Sequence, residues 1–134
     1  MNKISIEYLK KIKACKKSTN WFEKHFGTKE YVIEELLEIV KENNIIPDYK
    51  DVCFLIIECD FAQIQQLINY FLSLNPRYEY VRWLIEECDF AQTQFMIDYY
   101  LSLNPDYTDV NFLITNCKLA QNQEKLNEYW EKIK

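Results

Sequence analysis

From Tyr49 onward, apolar residues recur at helical rather than alternating intervals. Tyr49, Val52, Ile56 and Cys59 fall at i, i+3, i+7 and i+10, one face of a helix. Tyr78, Val81, Ile85 and Cys88 repeat the pattern, and so do Tyr107, Val110, Ile114 and Cys117. The three sets stand 29 residues apart, as do Pro47, Pro76 and Pro105. Laying Asp48–Pro76 over Arg77–Pro105 matches 18 of 29 positions, and Asp106–Lys134 keeps nine of those relative to the second unit. Self-similarity at such a period predicts helix pairs that bury their apolar faces only by stacking on their neighbours.

Each unit reads as two helices. The first begins after the proline, where Asp48 or Asp106 can accept from free amides. The second is predicted from Asp60 or Asp89, with Gln63 or Gln92 three residues on completing a capping box. It runs to about Leu74 or Leu103, where Asn75-Pro76 and Asn104-Pro105 stop it, because proline lacks a donor and disfavours helix in the residue before it. Upstream, Ile6–Lys16, Thr19–Phe26 ended by Gly27, and Lys29–Asn43 capped by Thr28 read as three further helices. Tyr8, Ile12 and Cys15 echo the Val-Ile-Cys spacing, so this segment reads as a diverged first repeat. The last helix, Leu119–Lys132, sets Asn122 and Lys125 where the first unit has Ile64 and Leu67, and Glu124 where the second has Phe95; a wetted face suits a terminal cap.

The expected architecture is therefore all-α, with about nine helices in tandem 29-residue pairs stacked as a short solenoid or bundle. One domain is expected for 134 residues: diverged N-terminal helices at 1–47, repeats at 48–76 and 77–105, and a capping repeat at 106–134. No apolar run approaches the roughly 18 residues a membrane span needs, and Met1–Lys17 has no apolar leader core, so a cytoplasmic protein is predicted. Five cysteines without a C-x-x-C pair read as reduced thiols.

Candidate chemistry is sparse. Cys59, Cys88 and Cys117 sit at one position of successive repeats, about 10 Å apart by helix packing, too far to share an ion. They read as core residues. His25 is the only histidine, and a nucleophile pair with Cys15 would need the fold to bring the two together. With Gly27 as the single glycine, a Gly-rich phosphate loop is excluded. Glu34, Glu35, Glu38 and Glu42 follow helical spacing and read as a solvated face. No catalytic residue, cofactor or metal site is predicted.

Charge is unevenly spread. Residues 1–29 hold eight Lys against Glu7 and Glu23, whereas the remainder holds eight basic and nineteen acidic residues. Lys10, Lys11, Lys13, Lys16 and Lys17 could touch phosphates, but the acidic remainder would repel a polyanion and argues against direct nucleic-acid binding. The same acidity suits a basic protein groove, and the abundance of aromatics supplies anchors for one. Tyr78, Tyr80, Tyr99, Tyr100 and Trp83 are the candidate anchors. Trp83, matched by Phe54 and Phe112, reads as packing; Tyr80, matched by Asp51 and Asp109, reads as exposed. A partner-binding face of Glu79, Tyr80, Glu86, Glu87, Asp89, Asp98 and Tyr99 is predicted.

The run Asp-Phe-Ala-Gln-x-Gln followed by Tyr-x-x-Leu-Ser-Leu-Asn-Pro resembles the outer helix of ankyrin repeats, but the Gly-rich turn and Thr-Pro-Leu-His start of that family are missing and the period is shorter. Ala14-Cys15, Trp21-Phe22 six residues on, and a later Trp-Leu-Ile helix make the first two-thirds of the chain similar to small helical proteins of bacteria and their phages. That resemblance implies an inhibitor of a host defence nuclease, of the anti-CRISPR type. The expected function is a non-enzymatic module that binds a larger protein, a nuclease or ribonucleoprotein. The alternatives are a self-associating scaffold and an enzyme of unrecognised type.

Overall fold

A computed structural model describes residues 3–134, so the part of the N-terminal reading that rests on Met1 and Asn2 lies outside the described residues. The described chain is all-α, with ten α-helices and two 3₁₀ turns. Three helices come first: α1 (Ile6–Lys11), α2 (Lys16–Phe26) and α3 (Ile33–Glu42). Then α4 (Tyr49–Glu58), α6 (Tyr78–Glu87) and α8 (Tyr107–Asn116) recur at the 29-residue period, each followed by a short turn and a partner helix. The partners are α5 (Gln65–Ser73), α7 (Gln94–Ser102) and, after the one-turn α9 (Lys118–Gln121), α10 (Glu124–Ile133). Among the first helices, α4 packs on α6 and α6 on α8; each also packs on its own partner, and α7 packs on α10.

Asp48 accepts from the Lys50 amide at 2.9 Å and Asp106 from the Asp109 amide at 2.8 Å, so both cap as their positions predict. Val52, Ile56, Val81, Ile85 and Val110 are buried, and Cys59, Cys88 and Cys117 are buried at the C-cap of each first helix. Asn75 and Asn104 end α5 and α7 in the left-handed region, φ 55° at each, and the following prolines lead the chain into the next unit.

The corner between paired helices differs from the expected capping box. Asp60–Ala62 and Asp89–Ala91 form single 3₁₀ turns, and the second helices start only at Gln65 and Gln94. The glutamines turn the other way: the side-chain amides of Gln63, Gln92 and Gln121 donate to the carbonyls of Ile56, Ile85 and Ile114, at 3.3, 3.1 and 2.9 Å. Those carbonyls lie in the last turn of each first helix and have no partner within it, so the amide serves the helix that has ended. The predicted single helix Leu119–Lys132 is divided by this same corner. At α7 the cap is Thr93, whose hydroxyl accepts from the Met96 amide at 3.2 Å.

The N-terminal segment departs furthest from expectation. Helix α1 stops at Lys11, with Lys13 at φ 63°, and α2 starts at Lys16 rather than Thr19. Tyr8, Ile12 and Cys15 thus share no helical face, and Cys15 is exposed where its supposed counterparts are buried. Helix α3 starts at Ile33 rather than Lys29 because Tyr31 exchanges backbone hydrogen bonds with Ile4, at 2.7 and 2.9 Å, which holds the preceding residues extended. Trp21, Phe22, Phe26 and Tyr31 cluster with ring centroids 5.0 to 6.5 Å apart. Glu34, Glu35, Glu38 and Glu42 point to solvent.

Candidate functional site

The predicted partner-binding face does not form a single free surface. Glu87 and Asp89 are exposed. Glu86, by contrast, is ion-paired to Arg82 with its side chain only 8% exposed. Glu79 is half-buried and pairs with Arg77 at 3.2 Å. Asp98 accepts from Gln94 at 2.8 Å and lies 3.6 Å from the Lys125 ammonium. Tyr99 is half-buried and donates its hydroxyl to the Leu72 carbonyl at 3.1 Å, tying α7 to the end of α5; burial raises its phenol pKa. Tyr80, expected in solvent, is half-buried: its ring meets Tyr49 edge-on at 5.4 Å and Trp83 at 6.4 Å, beside the Lys50 ammonium. Asp109, at the position matching Tyr80, is itself buried, 5% exposed, so a carboxylate at this position does not mark solvent.

Asp109 belongs to a network that spans α6, α7 and α8. Arg82 donates through Nε to Asp109 Oδ1 at 2.7 Å and through Nη1 to Glu86, while the Tyr100 hydroxyl donates to Asp109 Oδ2 at 2.5 Å. The guanidinium lies over the Phe112 ring, 5.4 Å from its centroid. Burial, then the adjacent carboxylate, drive the Tyr100 phenol far above its ordinary pKa, so it stays a donor. Burial works against the Arg82 charge, but Asp109 and Glu86 outweigh it and raise the pKa. These bonds link the four groups across three helices, which makes the network a fastening between layers.

At the preceding seam the same four positions hold Cys53, Ile57, Phe71 and Tyr80 in place of Arg82, Glu86, Tyr100 and Asp109. Cys53 and Phe71 are fully buried. At these four positions one seam is closed by uncharged groups, with the Cys53 thiol donating to the Tyr80 carbonyl at 3.6 Å, and the next by charge. The signal was present in the sequence as four coordinated exchanges at the repeat spacing.

The other nominated groups are spread out. His25 rests on the Trp21 ring, centroids 4.8 Å apart, while the Cys15 thiol lies 3.0 Å from the Ser18 hydroxyl, which donates to Asp51 at 2.6 Å. The Tyr8 hydroxyl reaches the Cys59 sulfur at 3.1 Å. Among the described residues no three His, Cys, Asp or Glu side chains are grouped so as to hold a metal ion, and no helix is long and apolar enough to cross a membrane.

Sequence reasoning missed the exposed aromatics at the corner of the second repeat. Phe90 is 45% exposed and Phe95 58% exposed. Phe61, the counterpart of Phe90, is half-buried against Tyr8 with ring centroids 5.5 Å apart, and the counterparts of Phe95 are Gln66 and Glu124. Compared with family models, curated proteins and solved structures, the chain shows no significant match to any of them.

Proposed function

We propose that the chain is a non-enzymatic protein-binding module whose contact surface centres on the corner joining α6 to α7. The observation that carries this reading is the exposure of Phe90 and Phe95, five residues apart, beside the free carboxylates Glu87 and Asp89. An exposed phenylalanine gains nothing in solvent, whereas a partner pocket that takes it up recovers about 2 kcal/mol of burial, and a few such anchors dominate most interfaces. The flanking carboxylates favour a partner with a basic rim, the kind of surface that nucleic-acid-handling proteins carry, and occupying it would make the chain an inhibitor. This proposed surface keeps Glu87 and Asp89 of the face expected from sequence and puts Phe90 and Phe95 in place of Tyr80 and Glu86.

The test compares immobilised wild-type chain, Phe90→Ser/Phe95→Ser and Glu87→Lys/Asp89→Lys as baits in one lysate, with helicity checked by circular dichroism. Loss of one defined protein with the phenylalanine pair, and salt-sensitive weakening with the lysine pair, is the expected result. Capture that neither pair alters would reject the corner. Light scattering on the wild-type chain alone separates the scaffold reading, in which it self-associates without any partner.

A further inference from the structure

Between the N-terminal helices and the first repeat, bounded by α2, α3, α4 and α5, lies a cavity of about 110 Å³. Its walls are apolar, with Trp21, Phe22, Leu36 and Leu55 prominent, and its only acidic group is Asp51, which Ser18 accompanies. The later repeats provide an internal comparison. Leu84 and Leu113, the counterparts of Leu55, are 0% exposed, and Pro76 and Pro105 are buried; Leu55 and Pro47 are only partly covered. A contact that is sealed at the two later seams is left incomplete at the first.

What is missing follows from the same comparison. Asp51 and Asp109 are equivalent, one on α4 and the other on α8. Asp109 meets the Arg82 guanidinium and the Tyr100 phenol. Asp51 meets only the Ser18 hydroxyl among the described side chains, through Oδ1. At the last seam a cation and an aromatic ring stand against the carboxylate; at the first, apolar space stands beside it. A dry cavity of roughly 150 Å³ takes up benzene, so the space here is on the scale of one ring.

We infer that this cavity is a binding site for a small aryl cation, a benzylamine- or benzamidine-like molecule whose ring fills the apolar space and whose charged donor pairs with Asp51. The ring recovers burial that the incomplete seam forgoes, and the cation neutralises a carboxylate held beside apolar walls. This site is independent of the Phe90/Phe95 surface.

The probes are benzylamine, toluene and benzoate. The protein is the full chain carrying Trp83→Phe and Trp130→Phe, which leaves Trp21 in the cavity wall as the only indole. Benzylamine is expected to shift Trp21 emission saturably and to raise Tm, toluene to bind more weakly, and benzoate to leave both unchanged. Asp51→Asn, which keeps an acceptor for Ser18, should weaken benzylamine about tenfold and leave toluene unchanged. Leu36→Phe should abolish both signals by filling the space. Failure of benzylamine to bind overturns the site. Equal binding of toluene and benzylamine, or indifference to Asp51→Asn, overturns the assignment of the carboxylate as its recognition element.

Discussion

Replacing Arg82 by cysteine, the residue at the matching position of the first repeat, tests whether the seam between α6 and α8 depends on its charges. Asp109 is 5% exposed and would keep its bond from Tyr100 but lose its cation. Removing one partner of a buried pair typically costs about 3–5 kcal/mol. The Arg82 side chain is 20% exposed, so water reaches part of the vacated space and the lower end applies, about 3 kcal/mol. In urea, with a slope of about 2 kcal/mol/M, the midpoint should fall by about 1.5 M. The decisive variant is the fourfold exchange Arg82→Cys, Glu86→Ile, Tyr100→Phe and Asp109→Tyr, which transplants the uncharged set of the first seam. Its stability should return to within about 1 kcal/mol of wild type, because the four positions act as one unit and their effects do not add. A single-variant cost under about 1 kcal/mol, or a fourfold variant no more stable than Arg82→Cys, would refute the reasoning.

Two further outcomes follow from the thiols. Cys15 alone among the five cysteines is exposed, so Ellman's reagent should titrate one thiol rapidly in the native chain and the rest only on unfolding; a fast phase that survives Cys15→Ser would contradict this. Burial, with a smaller contribution from Cys88, pushes the Cys53 thiol from 9.0 up to about 12. The unfolded chain therefore releases this proton first, and the stability it represents is intact below about pH 9 and declines towards pH 12, at about 1.4 kcal/mol per pH unit. Denaturation from pH 8 to 11 should show a shallower alkaline decline in Cys53→Ala than in wild type, each measured against its own value at pH 8, and equal slopes would dismiss the effect.

Helical periodicity made the repeated helices and their buried thiols legible, because stacking uses the face that the pattern marks. The corners were not legible. Gln63 can serve either the helix ahead or the one behind, and only the fold shows that it serves the carbonyl of Ile56. The start of α3 depends on a contact between Ile4 and Tyr31, which no local signal announces. For the candidate surface, Glu87 and Asp89 were readable as exposed acids, whereas Tyr80 was misjudged because a polar residue at a matching repeat position was taken to mean solvent. Asp109 shows that the matching position can instead be buried and paired. The exposure of Phe90 is not legible from its repeat position, because Phe61 at the matching position is covered by the Tyr8 ring and no such ring covers Phe90.

The unlike chemistry of successive seams bears on how a chain with duplicated segments avoids mispairing. Units that match at 18 of 29 positions invite slippage, in which a helix docks one unit too early or onto the same segment of a second molecule. A skipped unit would seat Asp109 against Cys53 and Phe71, burying a carboxylate with neither guanidinium nor phenol to meet it, while Arg82 would be stranded without its anion. Each such mismatch costs several kcal/mol, comparable to the stability of a whole domain of this size. Fidelity of assembly thus rests on a few side chains where the copies disagree, and not on the many where they agree.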